Sequence, residues 1–227
     1  ITGNCGKTRL SLDILYYLIG WGEVNCALVT VPGVIGPDTW LREASKFRPE
    51  LSISKIYGDK QTRFRLLEDR PQVSVINTEG LVHLLCERRK VKVGTKIKIK
   101  LVPNEELVEE FASQFQAIVC DEIHELGNHR STSTELIDYI ASRCKYRFGL
   151  TGTPFGRDPH KLWSQFHIVD RGATLGHTLG IFRAAYFSEK RNRWGGYEYK
   201  FDHRKEERLR CVLQNRSISY RADPKDL

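Results

Sequence analysis

Gln116-Ala117-Ile118-Val119-Cys120-Asp121-Glu122-Ile123-His124 sets an apolar run directly against two carboxylates and an imidazole. A short apolar run with β-branched residues, ended by charge, reads as a strand buried on both faces, the kind parallel sheets are built from. Its bland reading is a strand running into a solvated loop or a helix cap. What weighs against that reading lies far upstream, where Gly6-Lys7-Thr8 precedes a segment with helical periodicity.

Those two stretches supply complementary chemistry. Backbone N–H groups of a glycine-containing turn at a helix N-terminus can wrap phosphate oxygens, with the helix dipole adding a favourable field. Gly3, Asn4, Cys5, Gly6, Lys7, Thr8 and Arg9 are the candidate nucleotide-binding residues, with Lys7 as a mobile charge for phosphates and the Thr8 hydroxyl as a magnesium ligand. A second acid must hold the ion from the far side; Asp121 fits, and Glu122 can orient and deprotonate an attacking water. The loop departs from G-x-x-x-x-G-K-[ST] in having Ile1 where the first glycine stands. Leu10, Ile14, Tyr17 and Leu18 form the apolar stripe of the helix such a loop should open, and Gly20 and Gly22 end it.

Composition narrows the class. Forty per cent of the residues are apolar and 28% charged, as in ordinary soluble proteins. No apolar run approaches the ~18 residues that a membrane span needs, and no basic-then-apolar leader is present, so an intracellular protein without membrane partners is expected. Cysteines at 5, 26, 86, 120, 144 and 211 form no C-x-x-C pair and mostly lie in apolar stretches, as small buried thiols do. His124 and His129 are one residue too far apart for the H-E-x-x-H zinc pattern. The net charge of +8 is local: residues 88–100 carry Arg88, Arg89, Lys90, Lys92, Lys96, Lys98 and Lys100 with no acid.

Strand-like runs at Val24–Val31, Leu51–Tyr57, Val73–Asn77, Gln116–Cys120 and Tyr146–Leu150 alternate with helical segments at Asp38–Phe47, Glu79–Arg88 and Thr134–Arg143. Such alternation predicts an α/β fold, a mostly parallel sheet covered by helices on both faces, with functional loops gathered at its carboxyl edge. Pro32 and Gly33, Thr78 and Glu79, Asp121 and Glu122, and Thr151 and Gly152 each follow a predicted strand. Between Arg89 and Leu101, valine and isoleucine alternate with lysine around Gly94-Thr95, which predicts a two-stranded ribbon inserted at 88–101. It reads either as a solvated hairpin whose lysines block edge pairing or as an arm contacting phosphates through Lys92, Lys96 and Lys98. Beyond Arg171 the pattern loosens, with a helix predicted over Arg204–Arg216 and a short strand over Ser217–Arg221.

With these residues laid out, the chain resembles the first RecA-like lobe of the superfamily-two helicases and, within them, the Swi/Snf-type DNA translocases. Gly6-Lys7-Thr8 is similar to motif I, Val29-Thr30-Val31-Pro32 with Trp40 and Glu43 to motif Ia, and Val75-Ile76-Asn77-Thr78-Glu79 to motif Ib. Asp121 to Asn128 resembles the D-E-x-H-x-x-K-N form of motif II, with Gly127 in place of lysine, and Leu150-Thr151-Gly152-Thr153-Pro154 matches motif III. Leu162-Trp163-Ser164 and Phe182 to Phe187 resemble the Swi/Snf continuation, while Asn4 and Arg157-Asp158 depart from the family pattern.

The resemblance implies an ATP hydrolase moving along double-stranded DNA without sequence preference, with ATP and Mg2+ as cofactors. It implies catalytic roles for Lys7, Asp121, Glu122 and His124, metal ligation by Thr8 and Asp121, and coupling through Thr151, Gly152 and Thr153. DNA contacts are expected near Pro32, Gly33, Thr78 and Glu79. Turn chemistry is the bland alternative for the two threonines, and Trp40 and Trp163 are expected to be packing anchors. Residues 1–170 are expected to form the ATP-binding lobe and 171–227 an extension towards a second lobe, the chain being a fragment without motifs IV to VI. A bacterial or viral cytoplasm is the expected setting. The alternatives are the motor of a restriction or recombination nuclease, an RNA helicase, or a non-catalytic DNA-binding remnant.

Overall fold

The computed structural model describes residues 6–93, 96–152, 158–191 and 193–217. The first elements are α1 (Lys7–Gly20), β1 (Ala27–Val31), α2 (Gly36–Phe47), β2 (Ile53–Lys55), α3 (Lys60–Glu68), β3 (Val73–Asn77) and α4 (Thr78–Leu85). A hairpin of β4 (Cys86–Val93) and β5 (Lys96–Pro103) follows, then α5 (Glu105–Ser113), β6 (Ala117–Cys120), a 3-10 turn over Ile123–Gly127, α6 (Thr132–Arg143), β7 (Tyr146–Gly149) and α7 (His160–Asp170). The chain continues through α8 (Leu179–Tyr186), β8 (Phe187–Arg191), β9 (Tyr197–Phe201) and α9 (Glu206–Gln214).

Strands β2, β3, β1, β6 and β7 lie side by side in that order, all parallel. Every residue of β1, β3 and β6 is buried, which is why those segments read as continuous apolar runs rather than as alternation. The two-residue period still sorts their side chains. Leu28, Ile76 and Ile118 face Leu84, Leu85, Phe111, Ile137 and Ile140 of α4, α5 and α6. Val29, Val31, Val75 and Val119 face Leu12, Leu15, Trp40 and Ala44 of α1 and α2. A third core joins Leu162 of α7 to Leu175, Phe182, Tyr186, Phe187, Leu209 and Leu213, so α8, the start of β8 and α9 pack together with that helix.

Several sequence expectations need correction. Helix α1 buries Ser11, Leu12, Leu15 and Leu18, while Leu10 and Tyr17 are each 51% exposed. The buried stripe is the one that starts from Lys7, and the Ser11 hydroxyl donates to the Lys7 carbonyl at 3.0 Å. Helix α4 ends at Leu85, so Cys86, Glu87 and Arg88 belong to β4 and not to a helix reaching Arg88. Cross-strand pairing from Cys86↔Pro103 to Val93↔Lys96 claims that segment, whose charged residues offered a helix little to bury. Strands β1 and β2 are shorter than expected, the flanking residues serving as connections. Of the cysteines, Cys86, Cys120 and Cys144 are buried, whereas Cys211 is exposed. The strand expected over Ser217–Arg221 lies beyond Ser217 outside the described residues.

Phe111 is 1% exposed and its ring lies 5.1 Å from that of Phe115. Phe111→Ala is therefore expected to lower unfolding free energy by about 3–5 kcal/mol, readable as a reduced urea midpoint at unchanged slope.

Candidate nucleotide site

The site is assembled where α1, β6 and β7 meet the carboxyl edge of the sheet. Gly6 stands at φ 71° as the residue before α1, a left-handed conformation natural to glycine. The turn it makes sends the Lys7 side chain along the buried face of the helix. Lys7 Nζ then reaches Glu122 Oε1 at 2.7 Å. Parallel pairing of β1 with β6 sets the height of the acidic tip, with Asp121 N–H donating to the Thr30 carbonyl at 2.8 Å.

Glu122 stands at φ 46°, ψ 50°, a left-handed conformation uncommon for a residue with a side chain. Such backbone costs of order 1–3 kcal/mol and persists where surrounding contacts enforce it. Three contacts do so here. Glu122 N–H donates to Asp121 Oδ1 at 3.0 Å, Ile123 N–H donates to the Leu150 carbonyl at 2.9 Å, and Glu125 N–H donates to the Glu122 carbonyl at 3.0 Å. The turn thereby aims both oxygens of Glu122 at other members of the site.

His124 Nδ1 lies 3.1 Å from Glu122 Oε2 and 3.1 Å from Thr151 Oγ1. A chain of contacts therefore runs Lys7, Glu122, His124, Thr151, joining the loop before α1 to the segment after β7. Gly152 closes the circle: its backbone N–H bonds Glu122, and a Cβ placed on it would lie 3.7 Å from Lys7 Nζ. Burial pushes the Glu122 pKa up. The Lys7 hydrogen bond and charge, the Gly152 N–H and His124 outweigh it and hold the carboxyl below its ordinary value. Directly before this pair, burial raises the Cys120 thiol to about 12, so it stays protonated and inert.

Of the residues expected at the site, Lys7, Asp121, Glu122, His124, Thr151 and Gly152 are brought together. Gly3, Asn4, Cys5 and Thr153 lie outside the described residues. Arg9, expected at the nucleotide, instead has its guanidinium 4.7 Å from the centre of the Phe47 ring, a cation–π contact on the outer side of α1. Thr8 occupies the first turn of α1, one residue after Lys7. Pro32 and Gly33 follow β1, and Thr78 opens α4 beside them, its hydroxyl donating to the Val31 carbonyl at 3.2 Å. The Asn77 side-chain amide donates to Glu79 Oε2 at 3.2 Å. Lys92 stands apart on the β4–β5 hairpin, and Lys96 and Lys98 are placed there by backbone pairing alone.

Two functional contacts were not read from the sequence. Trp40, 1% exposed, is a packing anchor and also donates its indole N–H to Asp121 Oδ2 at 2.9 Å. With Glu122 N–H on the other oxygen, both Asp121 oxygens are held. The spacing of Trp40 from the β1 motif was visible, but nothing in it shows that the ring nitrogen points at a strand 81 residues away. The second concerns Gly127: a Cβ there would lie 2.5 Å from Lys161 Cβ and 2.6 Å from its Cγ. The stem of Lys161 on α7 fills the space a side chain at 127 would need. Trp163 donates its indole N–H to the Gly176 carbonyl at 3.0 Å and stacks on His167 at 4.6 Å, a packing role.

A lysine opening α1, an acid pair at the end of a buried strand and a parallel sheet in this order define a RecA-like nucleotide-binding lobe. The family described as "Type III restriction enzyme, res subunit" matches residues 1–156, and the chain belongs to that family. Among curated relatives, the yeast (Saccharomyces cerevisiae) ISWI chromatin-remodeling complex ATPase ISW2 is 26% identical and the yeast ATP-dependent helicase FUN30 29% identical, each over 164 residues. Each match takes in 72% of this chain and 13% of the relative, so the chain spans a small part of the proteins it matches. The fold is that of the Sulfolobus solfataricus SWI2/SNF2 ATPase core, solved in complex with double-stranded DNA, with a TM-score of 0.63 at 20% identity over 94% of this chain and 37% of that one. The chain is thus similar in sequence to chromatin-remodelling and helicase ATPases and shares its fold with a SWI2/SNF2 ATPase core.

The depressed Glu122 pKa fixes a pH dependence. An acid whose pKa is lowered by folding contributes stability above its unfolded value, and that contribution is lost as pH falls through the folded value. Lys7→Ala removes the opposing charge and leaves burial, so Glu122 titrates at higher pH. The stability difference between wild type and Lys7→Ala should be present at pH 7 and shrink below the ordinary carboxylate range, as followed by urea unfolding at stepped pH.

Proposed function

We propose that the chain is the ATP-binding lobe of a translocase that couples ATP hydrolysis to movement along double-stranded DNA. The observation that carries this reading is the Lys7–Glu122 ion pair, which joins the start of α1 to the acidic strand tip. A γ-phosphate approaching Lys7 competes with the Glu122 carboxylate for the same ammonium. Once the phosphate takes Lys7, Glu122 is left ionised and partly buried, ready to accept a proton from an attacking water. His124 bridges Glu122 and Thr151, so the change is felt at the segment after β7, which serves as the coupling element with Gly152 and Thr153.

Magnesium fits the donor set. The Thr8 hydroxyl and the Asp121 carboxylate are hard oxygen ligands, and Trp40 fixes the Asp121 orientation from behind. Among the described residues no group of three His, Cys, Asp or Glu side chains could hold a metal alone. When bound, the ion would neutralise charge on the nucleotide phosphates.

Duplex DNA as the track is supported by two features. Relatives and fold neighbour are Swi/Snf-type motors, and the neighbour was solved on double-stranded DNA. The loops after β1 and β3, with Pro32, Gly33, Thr78 and Glu79, lie side by side at the same sheet edge, where backbone phosphates can be met without base readout. Residues 171–227 lead from α7 towards a second RecA-like lobe in the whole protein. The match to a restriction-enzyme subunit favours a second reading, a motor that drives a nuclease. Duplex cleavage by the whole protein would select it.

The test is ATP hydrolysis by the full-length protein with linear duplex, single strands or RNA. Duplex should stimulate turnover most. Lys7→Ala is expected to lower stimulated turnover by about 10²–10³, and Glu122→Gln by about 10²–10⁴ with nucleotide binding retained. Stimulation by single strands or RNA alone would contradict the duplex track, and unchanged turnover in Glu122→Gln would remove that residue as base.

A further inference from the structure

We propose that the β4–β5 hairpin is a second nucleic-acid grip, an arm that holds the phosphate backbone through its own cations whether or not nucleotide is bound. This rests on the reading of the chain as a nucleic-acid motor and adds a contact to it.

Charge is the first ground. Residues 88–100 hold seven cations and no acid in a chain whose whole excess is +8, and Arg88, Arg89, Lys90, Lys92 and Lys100 are exposed. Glu87, at the base, meets Arg89 at 3.3 Å, and the outer pairs carry no acid at all. Register is the second ground. Cross-strand partners share a face, so Arg88, Lys90 and Lys92 form a row on one face opposite Leu101, Ile99 and Ile97. Arg89, Lys96, Lys98 and Lys100 hold positions on the other face. Alternate residues of a strand repeat every ~6.8 Å, twice the ~3.4 Å axial spacing of phosphates along one DNA strand. Either face can therefore present a regular row of cations to a phosphate backbone lying along it.

Packing gives no competing explanation for so long an arm. Among the described residues the arm is tied to the lobe at its base, where Cys86 is buried and Leu101 packs on the core under α4, α5 and α6. Further out Ile99 is 69% exposed, and its cross-strand partner Lys90 is exposed, as are Lys92 and Lys100. Blocking edge pairing takes one or two lysines, not both faces of the ribbon. Position completes the case. A groove of about 340 Å³ at the foot of the arm is lined by Thr78, His83 and Leu101 together with Thr132 and Ser133 of α6. A backbone passing Thr78 at the sheet edge thus continues directly onto the hairpin.

The experiment replaces Arg88, Lys90, Lys92 and Lys100 together by glutamine in the full-length protein and measures duplex affinity from 50 to 300 mM salt, with and without ADP. The slope of log affinity against log salt should become shallower by about 2–4, equally in both nucleotide conditions. A companion Lys90→Arg, Lys92→Arg, Lys100→Arg variant should restore the wild-type slope. An unchanged slope in a glutamine variant with a wild-type melting profile overturns the arm, as does a change seen only with ADP. In either case duplex-stimulated turnover that Lys7→Ala still abolishes leaves the motor reading standing, whereas a wild type that neither binds duplex nor is stimulated by it brings down that reading.

Discussion

Everything at the site hangs on the hydrogen-bond ladder between two strands buried on both faces. Thr30 of β1 is paired with Cys120 of β6, and the next amide, Asp121 N–H, continues onto the Thr30 carbonyl. In a layer that excludes water, each of those backbone groups must find its partner in the sheet or remain unsatisfied at a cost of about 1–3 kcal/mol. A slip of one residue would also turn Val119 and Ile118 into each other's cores. The height of the acidic tip over the sheet is therefore fixed by the core and not by the acids, which are free to carry chemistry.

The same constraint acts on α1 from the other side. Its buried face runs from Lys7 through Ser11 and Leu15 to Leu18, so docking that face against β1 and its neighbours delivers the ammonium to Glu122. The strained turn at Glu122 is then held by the Asp121 side chain and the Leu150 carbonyl, and its conformational cost is offset by the packing beneath it. Strain and a lowered pKa meet at the residue expected to move a proton.

What could be read from the sequence followed the reach of each signal. The parallel sheet was legible because β1, β3 and β6 are apolar at nearly every position and because acids, glycines and threonines punctuate their carboxyl ends. Lys7, Asp121 and Glu122 were legible because their spacing from those strands is chemically specific. The buried face of α1 was misread because Leu10 and Tyr17 are as apolar as the residues that pack, and only the tertiary placement of Lys7 chooses between the stripes. The end of α4 was misread because the pull of β5 on Cys86 to Arg88 comes from a partner whose pairing no local window contains. Trp40 against Asp121 and Lys161 over Gly127 are contacts between distant segments, invisible to any pattern along one of them.

That last contact has a bearing on how the chain can vary. With the Lys161 stem 2.5 Å from the place a Cβ would take at Gly127, the two positions are not independent. Any side chain larger than hydrogen at 127 demands that α7 yield or that residue 161 change with it. Substitutions at the pair are therefore expected to be epistatic, each tolerated in the company of the other and harmful alone. Either position is then constrained by the residue that stands at the other, so variation at 127 and 161 is expected to be correlated.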